Sequence, residues 1–494
     1  MRPKYIRETN RTAGKTDSVR THEPCVRTIQ VNSPHGVTHS SLLLLTLNFL
    51  LPLAVLLAGC TLYERVFGTE IAHAHIYDAL WFHTLWGIVL VYACMEGIKR
   101  KIWKRPLIAL LHVAFVLIAV GYAFTCYHAT SGKLHLRSGV TATHYFTDDL
   151  RVKVLPLPLT LKEVEFTSSE HPEAYSIISS NQIEEEKLGV NSVLEINHHR
   201  FYQSALDRDG KGVNLTIIYD PIGRSLSHAG FYLFIVTAIL WMGRRFLNKC
   251  RKKGFTQIKV KASPTSRIFL IIASLVATLG YYTFFKKYHA QGFAPLIRIQ
   301  DTIHVLTLLL LTATIPLTPY FKSKKIIYIS QIILCNSLSY TILFNNNIQT
   351  SIPQILNSPW LFSHVVLIII AYSLFTLCAL IALATFVVKN LPAYQRLTTL
   401  SSNLLAPAVV LLCMGIIIGA IWAGSAWGNY WQWDPKEVWA LITLLLYCIP
   451  LHRNLKGGLK TARQYHIFML AAYLSVLMTY LGVTYLLGGL HSYG

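Results

Sequence analysis

The stretch that decides the fold of this chain of 494 residues reads Trp422-Ala-Gly-Ser-Ala-Trp427-Gly-Asn-Tyr430-Trp431-Gln-Trp433-Asp434-Pro435-Lys436-Glu437-Val438-Trp439, and it holds five of the ten tryptophans. Long apolar runs flank it, so we place it at a membrane surface, where tryptophan often lies among the lipid headgroups. An interfacial belt needs only one or two rings at each helix end. Five rings interleaved with Gly, Ala and Ser instead predict a platform for a large flat ligand, because small residues let the backbone approach and the rings supply apolar faces.

The end of this tryptophan-rich segment (residues 422–439) carries a helix-start signal. Asp434 is a favourable N-cap, Pro435 suits the first helical position, and Glu437 follows at the third. The sequence therefore predicts a helix that begins here and fixes the aromatic platform to its first turn.

The composition indicates an all-α polytopic membrane protein. Hydrophobic residues make up 53% of the chain and charged residues only 14%, and many apolar runs reach the length of about 20 residues that crosses a bilayer. We predict about 11 transmembrane helices. The predicted spans are roughly 41–60, 77–96, 107–127, 226–243, 266–285, 302–318, 326–344, 363–388, 405–423, 437–452 and 464–487.

The net charge of +22 does not indicate a nucleic-acid partner, because Lys and Arg cluster in short loops between the apolar runs. Residues 99–105 and 244–253 are two such loops. This is the distribution of the positive-inside rule. It predicts a cytoplasmic N-terminus, with residues 128–225, the tryptophan-rich segment and the C-terminus on the opposite, extracytoplasmic side.

The nine cysteines form no C-x-x-C pair, and no G-x-x-x-x-G-K-[ST] motif occurs. A disulfide framework, a thioredoxin-like active site, a covalently bound c-type haem and a P-loop ATPase are therefore all disfavoured.

Four regions follow along the chain. Residues 1–40 form a basic cytoplasmic tail, and residues 41–250 form a first half with four spans. Within that half, residues 128–225 alternate polar and apolar side chains in places, which predicts a small β-rich extracytoplasmic domain. Residues 260–494 form a second half with seven spans and the tryptophan-rich segment.

Two histidines flank the tryptophan-rich segment on its predicted side of the membrane. His364 opens the eighth span and His491 closes the last. Neutral imidazole is a good iron ligand, and an apolar surround holds a porphyrin. A single histidine at a helix end often merely caps backbone carbonyls or lies in the membrane–water interface. Two histidines that flank this aromatic platform instead favour a bis-histidine haem site.

A second pair of histidines lies towards the inner side. His112 is inside the third apolar run and His452 ends the tenth. Ionisable residues within spans usually face the bundle interior and are functional candidates. For His452 the alternative is a cation that suits a helix C-terminus, and His83 competes with His112 as the intramembrane ligand. We assign His228 and His304 to packing or to the interface.

The tryptophan-rich segment resembles the WWD signature of the haem-handling proteins of system II cytochrome c biogenesis, in particular the CcsA (ResC) type. Two later stretches match in the expected order, Leu446-Tyr-Cys-Ile-Pro-Leu-His452-Arg453 and Gly488-Gly-Leu-His491-Ser-Tyr. The first half resembles the CcsB (ResB) partner, in the motifs Tyr77-Asp-Ala-Leu-Trp81-Phe82, Leu111-His112-Val-Ala-Phe115 and Gly132-Lys-Leu-His-Leu-Arg-Ser-Gly139. The chain thus looks like a fusion of two synthase subunits.

The resemblance implies roles for particular residues. His364 and His491 are the outer pair that ligates haem iron and serves catalysis, whereas His112 and His452 ligate haem iron on the inner side. The expected haem-binding residues of the tryptophan-rich segment are Trp422, Trp427, Tyr430, Trp431, Trp433, Asp434, Lys436 and Trp439. Lys436, with Asn429 or Tyr430, is the candidate contact for the haem propionates. The chain departs from the family in having Val438 where threonine is frequent, and in an outer domain shorter than expected.

The function implied by the resemblance is that of a cytochrome c synthase of the haem lyase type in the bacterial inner membrane. It would transport haem b to the outer face and attach it covalently to apocytochrome c at a C-x-x-C-H motif. The expected partners are apocytochrome c, haem and thiol-reducing proteins. Two alternatives stay open: a haem exporter or chaperone without ligase activity, and a membrane b-type di-haem electron carrier.

Overall fold

A computed structural model describes residues 41–166, 174–189, 191–252, 264–291, 299–314, 331, 333–335, 358–388, 391–452 and 461–487. Most of this part of the chain is helical. The α-helices are α1 Ser41–Phe67, α2 Thr69–Ala72, α3 Leu80–Lys99, α4 Pro106–His128, α5 Gly223–Lys252, α6 Pro264–Gln291, α7 Ile299–Thr314, α8 Pro359–Val387, α9 Leu391–Ala426, α10 Pro435–His452 and α11 Ala462–Leu477. Two π-helical segments, His73–Tyr77 and Met478–Leu487, and a 3₁₀ turn, Ile102–Lys104, complete the helical elements.

Seven of the described helical segments are long and apolar enough to cross a membrane. They are Phe49–Phe67, Leu80–Lys99, Pro106–His128, Gly223–Asn248, Pro359–Val387, Leu391–Ala426 and Ala462–Leu487. Each overlaps a span predicted from the sequence, so the polytopic helical architecture is confirmed. Shorter apolar helices cover Ile271–Thr283 and Ile303–Thr312. The predicted span 437–452 forms helix α10, which is not among these seven. The predicted span 326–344 lies largely outside the described residues, and the total of 11 remains a prediction.

Eight antiparallel strands follow α4 and form one sheet in the order β5-β4-β3-β2-β1-β8-β7-β6. The strands are β1 Thr130–Arg137, β2 Thr141–Thr147, β3 Val152–Phe166, β4 Ala174–Ser180, β5 Ile183–Leu188, β6 Leu194–Ile196, β7 His199–Leu206 and β8 Gly212–Tyr219. The predicted β-rich domain is therefore present, within the bounds that the sequence suggested.

The sheet owes its shape to side chains that alternate between two environments. Along β1, every second residue from Gly132 to Leu136 is buried and its neighbours are exposed, as expected where successive side chains point to opposite faces. Leu136, Leu159 and Phe201 are among the apolar side chains that form the core of one face.

The helical hairpin of α4 and α5 carries this sheet at one of its ends. One residue separates α4 from β1, and three residues separate β8 from α5. The two helices approach closely at glycines, since a Cβ added to Gly121 would lie 2.4 Å from the Ser227 hydroxyl and one added to Gly230 would lie 2.8 Å from the Ala114 carbonyl. The hairpin thus fixes the sheet next to the helical bundle.

Candidate functional site

Helix α10 begins as the sequence predicts. The Asp434 carboxylate accepts a hydrogen bond from the backbone N–H of Lys436 at 3.0 Å, which caps one of the first free donors of the helix. Glu437 accepts from the backbone N–H of Gln432 at 2.8 Å. The tryptophan-rich segment is therefore attached rigidly to the start of α10.

Trp433 is buried against the first half of the chain. Its ring stacks on Tyr77, with centroids 5.5 Å apart and planes within 5°, and it meets Phe82 edge-on at 4.8 Å. The indole N–H donates to the Tyr122 hydroxyl at 2.9 Å. Its backbone is left-handed, with φ +57°, which is uncommon for a residue with a bulky side chain.

The other tryptophans divide between two environments. Trp422 is buried and meets Trp427 at a centroid distance of 4.7 Å, with planes at 71°. Trp431 and Trp439 are half-buried beside Trp433, and the Trp439 indole donates to the Thr61 hydroxyl of α1 at 3.2 Å. The five rings therefore do not share one plane: one pair lies at the end of α9, and three contact the first half.

Tyr430 lies between these two groups and contacts α5. Its hydroxyl and the His228 Nε2 atom are 2.8 Å apart, and its ring packs edge-on against Phe231 at 5.5 Å. A Cβ on Gly424 would come within 2.3 Å of the Tyr430 ring. The absence of a side chain at Gly424 thus leaves space for the ring of Tyr430, which belongs to the same segment.

The β-sheet contacts the same segment. The Tyr202 hydroxyl of β7 donates to the Gly424 carbonyl at 3.0 Å. Gly428 has a positive φ of +90°, and a Cβ there would lie 2.4 Å from the Ile218 side chain of β8. The tryptophan-rich segment is consequently bounded by α1, α4 and α5 of the first half and by the face of the sheet that carries Tyr202.

His364 lies in the first turns of α8 and is fixed by α9. Its Nδ1 atom is 2.7 Å from the Gly415 carbonyl. Because a carbonyl can only accept, Nδ1 carries the proton, and in a neutral ring Nε2 then carries the lone pair that can bind a metal. Gly419 makes room for the ring, since a Cβ there would lie 2.5 Å from Nδ1. His491 lies outside the described residues.

The structure brings His112 and His452 together. Their ring centroids are 6.0 Å apart, with planes at 88°. The His112 Nδ1 atom bonds the Ile108 carbonyl at 2.7 Å, and the His452 Nδ1 atom bonds the Cys448 carbonyl at 2.9 Å. Both rings therefore present Nε2 as the lone-pair nitrogen. His83 instead has a ring contact with Tyr127, at 5.9 Å.

This pair and the tryptophan-rich segment lie at opposite ends of the same helices. His452 is 17 residues from Pro435 along α10, a distance of about 26 Å at 1.5 Å per residue. His112 is 16 residues before the end of α4, or about 24 Å. The two candidate regions are thus separated by nearly the thickness of a bilayer core, which is about 30 Å.

The sequence analysis assigned no site role to Tyr77, Tyr122 or Tyr202, although Tyr77 opens one of the motifs that resemble the CcsB partner. His228, which the sequence assigned to packing or to the interface, contacts Tyr430 directly. No local motif marks Tyr122, Tyr202 or His228 as site residues, because their contacts join positions more than 200 residues apart.

The comparisons with known proteins agree on one family. Residues 226–491, more than half of the chain, match the family described as Cytochrome C assembly protein. Cytochrome c biogenesis protein CcsA of Prochlorococcus marinus (strain AS9601) is 26% identical over 313 residues, covering 56% of this chain and 96% of the relative. The protein of that name from Guillardia theta is 30% identical over 259 residues, covering 45% and 83%.

A shorter similarity links the chain to Protein NrfI of Wolinella succinogenes, which is 38% identical over 154 residues, 29% of this chain and 17% of the relative. The resemblance of the chain to CcsA-type cytochrome c biogenesis proteins is confirmed, while the WWD signature of the tryptophan-rich segment and the fusion of two subunits stay predictions. The chain is a multi-pass membrane protein that belongs to the cytochrome c assembly protein family.

Proposed function

We propose that this protein carries haem b across the bacterial inner membrane and attaches it covalently to apocytochrome c. The observation that supports this most is the juxtaposition of His112 and His452 at one end of helices whose other end carries the tryptophan-rich segment. One candidate ligand set lies at each membrane surface, which suits a substrate that enters on one side and is used on the other.

The inner pair has a spacing that suits a shared iron. A metal–nitrogen bond is about 2 Å long. Two imidazoles on opposite sides of one metal therefore have ring centres roughly 6 Å apart. The centroids of His112 and His452 are 6.0 Å apart. Both Nδ1 atoms donate to backbone carbonyls, and such bonds commonly orient the histidine ligands of metals.

The outer set comprises His364, the tryptophan-rich segment and His491, whose part rests on the sequence alone. His364 is oriented by the Gly415 carbonyl and lies on the helix that precedes α9, at whose end the segment begins. We assign haem-iron ligation to His364 and His491, and apolar contact with the porphyrin to the tryptophans of the segment.

The attachment reaction places few demands on side-chain acid–base chemistry. Each cysteine thiol of the C-x-x-C-H motif adds across a haem vinyl group, so that sulfur bonds one vinyl carbon and the hydrogen goes to the other. The reaction consumes no oxidant, but the thiols must be reduced, which implies thiol-reducing partner proteins. The protein contributes mainly orientation of the two reactants.

A haem exporter or chaperone without ligase activity is the second candidate. It would use the same histidines and the same aromatic segment. Contact of the first half with the segment, through Trp433 and Tyr430, favours the synthase, because a domain able to receive a protein partner then lies beside the haem. A b-type di-haem carrier is less favoured, since His364 lies at a helix start rather than in mid-membrane.

The test is expression of the full chain in a host that lacks its own cytochrome c assembly system, together with a reporter apocytochrome. Covalent, peroxidase-active haem on the reporter is the expected result. Haem that copurifies with the protein while the reporter stays unmodified would support only the chaperone function. If no haem is found on either the reporter or the protein, both candidate functions are overturned.

A further inference from the structure

Arg200 on strand β7 is a buried cation. The residue is 8% exposed, and its Nε atom is buried without a hydrogen bond. Within the described part of the chain, no acceptor or carboxylate pairs with its guanidinium. An arginine is rarely buried in this way, because removing a charge from water is costly unless an opposite charge or hydrogen bonds replace the solvent.

Strand register places Arg200 on the face of the sheet that meets the tryptophan-rich segment. Side chains two apart on a strand share a face, so Arg200 and Tyr202 point the same way, and the guanidinium lies 5.0 Å from the Tyr202 ring centroid. Ile218 is the cross-strand partner of Arg200 and packs on Gly428. The guanidinium therefore lies beside the backbone of the segment.

A second arginine lies nearby and occupies the adjacent carboxylate. Glu195 is the cross-strand partner of Arg200 on β6, but its carboxylate pairs with Arg224 at 2.5 Å. Asp220 is held by the Thr125 hydroxyl at 2.6 Å and by the Gly223 N–H at 2.9 Å. Glu195 and Asp220 are thus already engaged by other groups.

Tyr430 is the residue of the tryptophan-rich segment on which this cation acts. Burial raises the pKa of the Tyr430 hydroxyl, while Arg200 and Arg224 both act to lower it. One guanidinium group from β7 and one from α5 therefore lie near the aromatic residue at the middle of the segment.

We propose that Arg200, supported by Arg224, binds a carboxylate of the molecule held at the tryptophan-rich segment, namely a propionate of haem. A planar guanidinium matches a carboxylate with two parallel hydrogen bonds. This inference rests on the proposed function, since it takes haem as the occupant, and it adds a polar anchor from the β-domain. Such an anchor fixes the rotation of the porphyrin in its plane and hence the position of its vinyl groups.

The alternative is that Arg200 serves packing only, through its contact with the Tyr202 ring. A second is that a phosphate from lipid or buffer fills the site. Both predict that haem binding does not depend on its carboxylates, which separates them from the proposal.

The test measures binding of haem and of its dimethyl ester, which lacks both carboxylates, to the full-length protein in detergent. A His112→Ala background removes the inner candidate site, and the Soret absorption reports binding. We expect haem to bind at least about tenfold more tightly than the ester, the effect of losing a charge-assisted hydrogen bond. Equal affinities would overturn the proposal, while leaving the proposed function intact.

Variants then assign the preference to Arg200. In Arg200→Gln the preference for haem over the ester should fall to about twofold or less, while Arg200→Lys should keep an intermediate preference. The control is Arg208→Gln, an equal change of charge at an exposed position of the same domain. An undiminished preference in Arg200→Gln would overturn the proposal. Failure of the wild-type protein to bind either molecule would overturn this proposal and the proposed function together.

Discussion

At the scale of the residue, the three described histidine candidates share one arrangement. His112, His364 and His452 each bond a backbone carbonyl through Nδ1. This fixes the tautomer and the ring orientation before any ligand arrives, so the binding free energy need not be used to order the side chains.

The inner pair gives the first prediction. His112→Ala and His452→Ala should each change the absorption spectrum of copurified haem, because one axial ligand is lost. His83→Ala is the matched control and should leave the spectrum unchanged, since its ring contacts Tyr127 rather than His452. A wild-type spectrum in both inner variants would contradict the assignment.

The aromatic contacts of Trp433 give the second prediction. Trp433→Ala should lower the free energy of unfolding by about 3–5 kcal/mol, as expected for loss of a large buried ring, whereas Tyr122→Phe should cost about 1 kcal/mol by removing one hydrogen bond. Thermal unfolding in detergent measures both. Trp103, which is 55% exposed, is the control, and an equal loss in Trp103→Ala would argue against a special role for Trp433.

At the scale of the element, the packing of α8 on α9 and the start of α10 determine where the candidate site lies. Glycines let α9 approach His364, and a capped helix start holds the tryptophan-rich segment. The cap could be predicted from sequence because Asp434 and Lys436 are two residues apart. The close approach of His364 to Gly419 could not be predicted from sequence, because it depends on which residue of a separate helix lies opposite the glycine.

Gly419→Ala is the third prediction. The added methyl group would come within 2.5 Å of His364, so the ring or the helix must move, and a displacement of about 1 Å can reduce a positioned reaction by about a hundredfold. Haem attachment to a reporter apocytochrome measures the effect. Gly87→Ala meets open space and should keep wild-type activity; comparable losses in both variants would refute the mechanism.

Asp434→Ala is the fourth prediction. Loss of the cap at the start of α10 should lower the free energy of unfolding by about 1 kcal/mol, whereas Asp434→Asn should retain most of it, because asparagine caps helices nearly as well. Denaturation of the purified protein distinguishes them. Equal destabilisation by the two substitutions would indicate that the charge of Asp434, not its capping hydrogen bond, matters.

At the scale of the whole molecule, the two halves form one structure around the tryptophan-rich segment. The first half supplies Thr61, Tyr77, Tyr122, Tyr202 and His228, all in contact with a segment of the second half. Fold class, the β-rich domain and the helix start could be predicted from periodicity and local motifs. These contacts could not, since pattern in one strand or helix carries no information on a partner 200 residues away.

The fifth prediction concerns a chain divided between residues 253 and 263, which join α5 to α6. The two fragments, expressed together, should copurify through a tag on one of them, because Trp433 and Tyr430 bury aromatic surface against the first half. A Trp433→Ala, Tyr430→Ala fragment should be recovered in lower yield. Fragments that never copurify would contradict this interface.

The left-handed backbone of Trp433 has a consequence for biosynthesis. A bulky residue adopts φ near +57° at a cost of about 1–2 kcal/mol, which the rings of Tyr77 and Phe82 offset only once both halves have met. Before the second half has packed against the first half, the tryptophan-rich segment should therefore adopt another backbone conformation at Trp433. With the function proposed above, haem would then bind at the segment only after the two halves have packed together.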